Sequence, residues 1–198
     1  MPAPTAKKRT ALTITLAVLG VLVLLGGAAG LVALGPIIRE YPSSVDDPAE
    51  VAGLTRLHDP ELQQIVDQMT EEVKSSVKAD STVAGFYAPA GDRQQLVMLV
   101  AGTKLALAPA KELDAALRGV SKGSGTPLSD VRAVPAGPLG GTTRCGSVTL
   151  AAAGTAVPVA VCAWADHGSL GLVFFFNRTI EDAEGRFRAV REGVLHRG

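Results

Sequence analysis

The chain has 198 residues, 47% hydrophobic, 19% charged and 4% aromatic, and its 19 basic and 19 acidic side chains cancel to zero net charge. So apolar a chain is not a disordered polyelectrolyte, and without a basic surplus it is not a general nucleic-acid binder. The length suits one domain with an appendage.

The charge is unevenly placed. No ionisable side chain occurs over the 29 residues from Thr10 to Ile38. A spanning helix needs about 20 apolar residues, so this run predicts a transmembrane helix over residues 11–38. Pro36, which lacks an amide donor, is expected to end the regular helix. Lys7, Lys8 and Arg9 precede the run. Positive charge on that side places residues 1–10 in the cytoplasm and everything after about residue 39 outside the cell membrane. The rival is a cleavable signal peptide, because Ala28-Ala29-Gly30 has the small residues of a cleavage site. The apolar run continues past it through Leu31, Val32, Leu34, Ile37 and Ile38, which favours a retained anchor. Gly26 and Gly30 form a Gly-x-x-x-Gly pair, but glycine is common in membrane helices and the pair is read as composition.

Residues 39–58, with two prolines, two serines and no periodicity, read as a linker. Residues 59–198 then form the extracytoplasmic domain. From Tyr41 onward there are 15 basic and 18 acidic residues, a net charge of −3. That mild acidity argues against attraction to nucleic acid or anionic lipid.

Asp59 and Pro60 suit the cap and first position of a helix, and Leu62, Ile65, Val66, Met69, Val73 and Val77 recur at helical spacing. Thr82–Ala88 and Gln94–Ala101 read as strands about the turn Pro89-Ala90-Gly91-Asp92. Leu96–Val100 is apolar on both faces, so that strand is expected to be central. Pro109–Arg118 reads as a short helix with Gly119 beyond its end, followed by a flexible stretch, Ser121–Thr126. Leu128–Val134 is a candidate strand. Thr142–Ala153, Val157–Ala165 and Leu170–Phe176 read as three strands joined at Gly154-Thr155 and Asp166-His167-Gly168. Pro158 removes a ladder donor and suggests an edge or a bulge. Thr179 caps a last helix whose stripe is Ile180, Ala183, Phe187, Val190 and Val194. Short connections between strands make the fold α+β, an antiparallel sheet covered on one face by helices.

The chain contains two cysteines, Cys145 and Cys162. Outside the cytoplasm a disulfide is the default state. A hairpin turning about Ala153-Gly154 pairs residues whose numbers sum to 307, and these two cysteines satisfy that sum, which places them opposite each other. Alternation then sets Val148, Leu150, Val157, Val159 and Val161 on the core face. The cysteines, Ser147, Thr149 and Trp164 fall on a mixed, partly covered face. Trp164 is there a candidate contact residue, although packing on the disulfide explains it more simply.

No catalytic, cofactor-binding or metal-ligating residues emerge. His58, His167 and His196 lack metal-ligand spacing, and Asp166-His167 has no serine in a nucleophile elbow near it. Gly123-Ser124-Gly125 opens like a dinucleotide motif, but Leu128 stands where its third glycine belongs. Pro135–Gly141 is a turn-rich strand entry, and Asn177-Arg178-Thr179 is a sequon whose threonine is already committed as a helix cap.

The run Gly140-Gly141-Thr142-Thr143-Arg144-Cys145-Gly146, followed by Val161-Cys162-Ala163-Trp164-Ala165-Asp166, resembles a pattern in uncharacterised actinobacterial single-pass membrane proteins. The resemblance implies a disulfide-containing extracytoplasmic domain and brings no catalytic residues. The sequence thus predicts a membrane-anchored extracytoplasmic binding or assembly domain. Its partners would be the lipid bilayer and an unidentified protein or small molecule, with no nucleic acid and no cofactor. The alternatives are an extracytoplasmic enzyme with an unrecognised site and an accessory subunit acting through its membrane helix.

Overall fold

The computed structural model describes residues 34–77, 79–152 and 155–198. The chain forms two compact units, Met1–Ile38 and Arg39–Gly198. Most of the uncharged run expected to span the membrane, with Gly26 and Gly30, lies outside the described residues. Within those residues no helix is long and apolar enough to cross a membrane. Residues 34–40 form α1, so helical backbone continues past Pro36. The ring fixes φ near the helical value, and the helix forgoes one amide donor there.

The second unit is α+β. Its elements in order are β1 (Ser43–Val45), β2 (Glu50–Val51), β3 (Leu54–Arg56), α2 (Pro60–Val77), β4 (Ser81–Pro89), β5 (Val97–Thr103) and α3 (Pro109–Ser124). There follow β6 (Ser129–Ala133), β7 (Thr142–Ala152), β8 (Thr155–Ala165), β9 (Ser169–Phe176), α4 (Ile180–Val194) and β10 (Leu195–Arg197). Eight strands make one antiparallel sheet in the order β2-β3-β4-β5-β9-β8-β7-β6, while β1 and β10 pair separately.

Residues 39–58 are therefore not a tether. Val45, Val51 and Leu54 are buried in the core, β1 pairs with the C-terminal strand, and the β2–β3 hairpin extends the sheet beyond β4. Strands of two or three residues are too short to show a period of two, so the sequence carries their turn residues without their pattern.

The sheet is also covered on both faces, not one. Ile180, Ala183, Phe187, Val190 and Val194 of α4 pack with Val97, Leu99, Val173 and Phe175. On the opposite face Val66 of α2 packs with Met98 and Val100, and Leu113 and Leu117 of α3 pack with Ala163 and Ala165. Alternate residues of one strand thus enter two separate cores, and β5 is buried at every position. Its central place, between β4 and β9, agrees with its unbroken apolar run.

Helix boundaries follow their caps. The Asp59 Oδ1 accepts from the Glu61 amide at 3.0 Å, and the Thr179 Oγ1 accepts from the Asp182 amide at 3.3 Å. The helix expected to stop at Arg118 runs on to Ser124 and is closed by Gly125 at φ 67°. That left-handed residue, and not Gly119, supplies the C-terminal signal. In α2, Val66 is buried and Leu62 half-buried, whereas Ile65 is 45% exposed. Strand β6 lies at the sheet edge with all five residues exposed and an irregular register between Ser129 and Arg132, a device that discourages edge-to-edge pairing.

Cys145 faces Cys162 in the β7–β8 ladder, and the two form a disulfide. Pro158 sits in β8 opposite Thr149, near the end where the strand is exposed. The faces are the reverse of the expected quality. Cys145, Cys162, Ala160 and Trp164 lie fully buried beneath α4, so the face expected to be mixed is the more completely covered one. Ser147 and Thr149, which suggested partial cover, lie farther along β7, away from Trp164. Replacing both cysteines by alanine opens a covalent loop with a sequence separation of 17. It is expected to cost about 3 kcal/mol in the chain-entropy account, read as a lower urea midpoint under non-reducing conditions.

Tyr87, on β4, is 1% exposed and its hydroxyl has no hydrogen-bond partner. Burial pushes its phenol from 10.0 up to about 12, with Arg56 opposing and Asp47 adding to the rise. An acid whose folded value is raised keeps its full stabilisation below the unfolded value and loses it as pH climbs. The loss therefore falls between pH 10 and 12. Tyr87→Phe removes both the titration and the unpartnered hydroxyl, so its urea midpoint should decline less over that window than the wild type's.

Candidate functional site

Strand β9 alternates buried and half-buried residues along its whole length. Ser169, Gly171, Val173 and Phe175 point beneath α4 and are buried. Leu170, Leu172, Phe174 and Phe176 point to the other face and stay half-exposed, although every one is apolar. This strand has the composition of two-sided burial, yet its second side is incompletely covered.

The uncovered ground is a groove of about 470 Å³ along β9 and β5. Its floor carries Met98, Val100, Leu172 and Phe174, and one wall is the small-residue side of α3, with Ala116 and Gly119. Leu113 and Leu117 hold α3 to the sheet, and their smaller neighbours leave the space beside it. A Cβ added at Gly119 or Gly123 would meet nothing within 4 Å. The volume lies in the usual range of small-molecule sites, about 300–1,000 Å³. The polar lining includes Lys104, at the end of the sheet where β5 stops and β9 starts. Its Nζ lies 3.2 Å from Glu112 Oε1, which uses one of three ammonium donors. The arrangement can hold an elongated apolar body with an acidic end near Lys104. Among the described residues, the groove lining contains neither a carboxylate nor His167.

A second constellation lies on the α4 side and is sealed. Asp166 is fully buried and Arg191 1% exposed. Asp166 Oδ1 accepts from the amides of Gly168 at 2.9 Å and Ser169 at 2.7 Å, and from Arg197 Nη1 at 3.2 Å. Its Oδ2 accepts from Ser169 Oγ at 2.8 Å, Arg191 Nη2 at 3.2 Å and Arg197 Nη2 at 2.8 Å. A carboxylate has about four lone-pair sites, so these donors leave none to take a proton from a substrate. Arg191 also donates to the carbonyls of Ala136 and Gly140, each at 2.9 Å, and lies 5.8 Å from the centre of the Trp164 ring. Burial pulls the Arg191 guanidinium below the usual arginine range, and Asp166 opposes that pull. Arg197 donates to the carbonyls of Glu40 and Leu139, at 2.5 and 2.8 Å. The cluster therefore clasps the chain's entry, the 136–141 loop, the β8–β9 turn and the C-terminal strand together. Gly141, at φ 77°, brings that loop so close that a Cβ would meet Ala165 O at 2.7 Å.

The residues singled out from sequence separate. Trp164 has no exposed surface and donates its indole N–H to Ser169 Oγ at 3.0 Å. It packs in the cluster that contains both cysteines, so the packing explanation accounts for it and a direct contact at the surface does not. His167 Nδ1 lies 2.6 Å from Glu40 Oε2, His196 Nε2 lies 3.2 Å from Asp46 Oδ2, and His58 is exposed. Asn177, in the sequon, is exposed and donates to the Gln94 carbonyl at 2.9 Å. Among the described residues, no group of three His, Cys, Asp or Glu side chains is placed to hold a metal ion. Sequence reading missed the groove and the partners of Asp166. The half-covered run Leu170–Phe176 was the available signal for the groove. Arg191 lies beside the α4 stripe, at a position that would ordinarily be solvated. Set against models of known protein families, curated proteins and solved structures, the chain matches none.

Proposed function

We propose that this is a membrane-anchored, extracytoplasmic binding domain whose ligand is a lipid-like molecule, one apolar chain with an acidic head. The groove along β9 carries the reading: its floor and α3 wall are apolar, and Lys104 stands at one end. Strand β9 advances about 3.4 Å per residue, so the path from Leu170 to Phe176 is about 20 Å long. That suits an extended chain better than a compact ring. The uncharged run from Thr10 to Ile38 supports the anchor, and the resemblance to actinobacterial single-pass proteins agrees with it.

The outer unit, Arg39–Gly198, contains the whole core described above and the groove, so the binding test is read on it, within the full chain. A fluorescent fatty acid should bind it saturably and be displaced by the unlabelled acid. Ala116→Phe puts a ring into the groove from the α3 wall and should abolish binding while leaving the thermal midpoint nearly unchanged. Absence of saturable binding, or binding indifferent to Ala116→Phe, would sink the ligand assignment. For the anchor, N-terminal sequencing of membrane-fraction protein is decisive, and a mature start at Leu31 would overturn it.

A further inference from the structure

We infer that the outer domain rests end-on against the lipid bilayer, with Leu105 and Leu107 inserted at the membrane interface. The inference rests on the anchor part of the proposed function and is independent of the groove's ligand. Among the described residues of the outer unit, the large exposed apolar side chains are Tyr41, Ile65, Leu105, Leu107 and Val131. Three of these five gather at one end. Leu105 and Leu107 are 49% and 78% exposed, and they flank Ala106, which is 5% exposed. That alternation directs both leucines outward together.

The loop carrying them is held in place. The Lys104 amide donates to the Gly168 carbonyl at 3.1 Å and the Ala106 amide to the His167 carbonyl at 2.9 Å. The same turn receives the chain as it enters the domain. The His167 amide donates to Glu40 Oε2 at 2.9 Å, and Ser43 Oγ donates to the Gly168 carbonyl at 2.7 Å. The 29-residue uncharged run stops at Ile38, one residue before Arg39 begins this unit. The run's last residue is thus two positions before Glu40, whose carboxylate meets the turn that pins the leucine loop. An exposed leucine pair on a pinned loop is costly in water and favourable at a bilayer surface. Of the nearby charges, Lys104 pairs with Glu112 and His167 with Glu40, while Asp80, whose amide donates to the Thr103 carbonyl at 2.7 Å, is exposed and must keep its carboxylate on the water side of the contact. Arg39 and Lys111 are exposed, and Tyr41 has the amphipathic ring found at membrane interfaces.

The test uses the full chain reconstituted in phosphatidylcholine vesicles that contain lipids brominated on the acyl chain, which quench nearby indoles. Trp164 is buried and gives a constant background. Leu107→Trp adds a reporter at the proposed contact. Ala90→Trp adds one in the β4–β5 turn, across the length of β5 at the opposite end. The expected result is a blue shift and loss of added emission for Leu107→Trp, with Ala90→Trp unaffected. If the chain floats with the vesicles and Leu107→Trp is quenched no more than Ala90→Trp, the docking is wrong and the anchor stands. Should the chain fail to float with them, the anchor fails and the docking with it.

Discussion

Asp166→Ala is expected to lower stability by about 3–5 kcal/mol, because removing one partner of a buried ion pair leaves the other charge without compensation. Two guanidiniums are orphaned at once. Arg191 is 1% exposed and has no route to water, whereas the Arg197 side chain is 18% exposed and can be partly rehydrated. The turn amides of Gly168 and Ser169 lose their acceptor as well. If uncompensated charge is the main cost, Asp166→Ala combined with Arg191→Met should be more stable than Asp166→Ala alone. Methionine keeps much of the volume over Trp164 and carries no charge. Arg197→Ala should cost far less than Asp166→Ala. Urea midpoints under non-reducing conditions order the variants, and a double variant less stable than the single would refute the charge account.

The second large effect is at Gly171. A Cβ placed there would overlap the Cη2, Cζ2 and Cζ3 atoms of Trp164, which faces it across the β8–β9 ladder. The glycine is required by the ring above it, not by its backbone angles. Gly171→Val must displace the ring, and Trp164 is fully buried between Phe187, at 6.2 Å between centroids, and Arg191. The cost should approach that of deleting the ring, about 3–5 kcal/mol. A double-mutant cycle separates steric conflict from general strand weakening. Trp164→Ala vacates the space that valine needs, so Gly171→Val/Trp164→Ala should be no less stable than Trp164→Ala alone. Additive losses would show that the ring is not the obstacle.

Parts of this fold that repeat a simple period are legible from the residues. The five-residue stripe Ile180–Val194 is buried as expected, and the Cys145–Cys162 pairing follows from one turn position and an antiparallel register. What failed is what local pattern cannot encode. Strands β1, β2 and β3 are two or three residues long and exist because distant strands pair with them. Cover on both faces depends on where three helices cross the sheet, which alternation within a strand does not specify. Asp166 looked like a hydrophilic turn residue because its compensating charges are 25 and 31 residues away. The groove was half legible. The run Leu170–Phe176 announces two buried faces, but only the small residues of α3 explain why one of them is left open.

The pairing of β1 with β10 also has a mechanical consequence. Ser43 lies opposite Arg197, and the Gly198 amide donates to the Pro42 carbonyl at 3.1 Å. Tension applied between Tyr41 and Gly198 would therefore peel this two-strand ribbon open one bond at a time, like a zipper, instead of shearing its bonds together. The clasp that Arg197 makes with Asp166 and the Glu40 carbonyl lies directly in that line of pull. The eight-stranded sheet would bear the load only after the ribbon had parted.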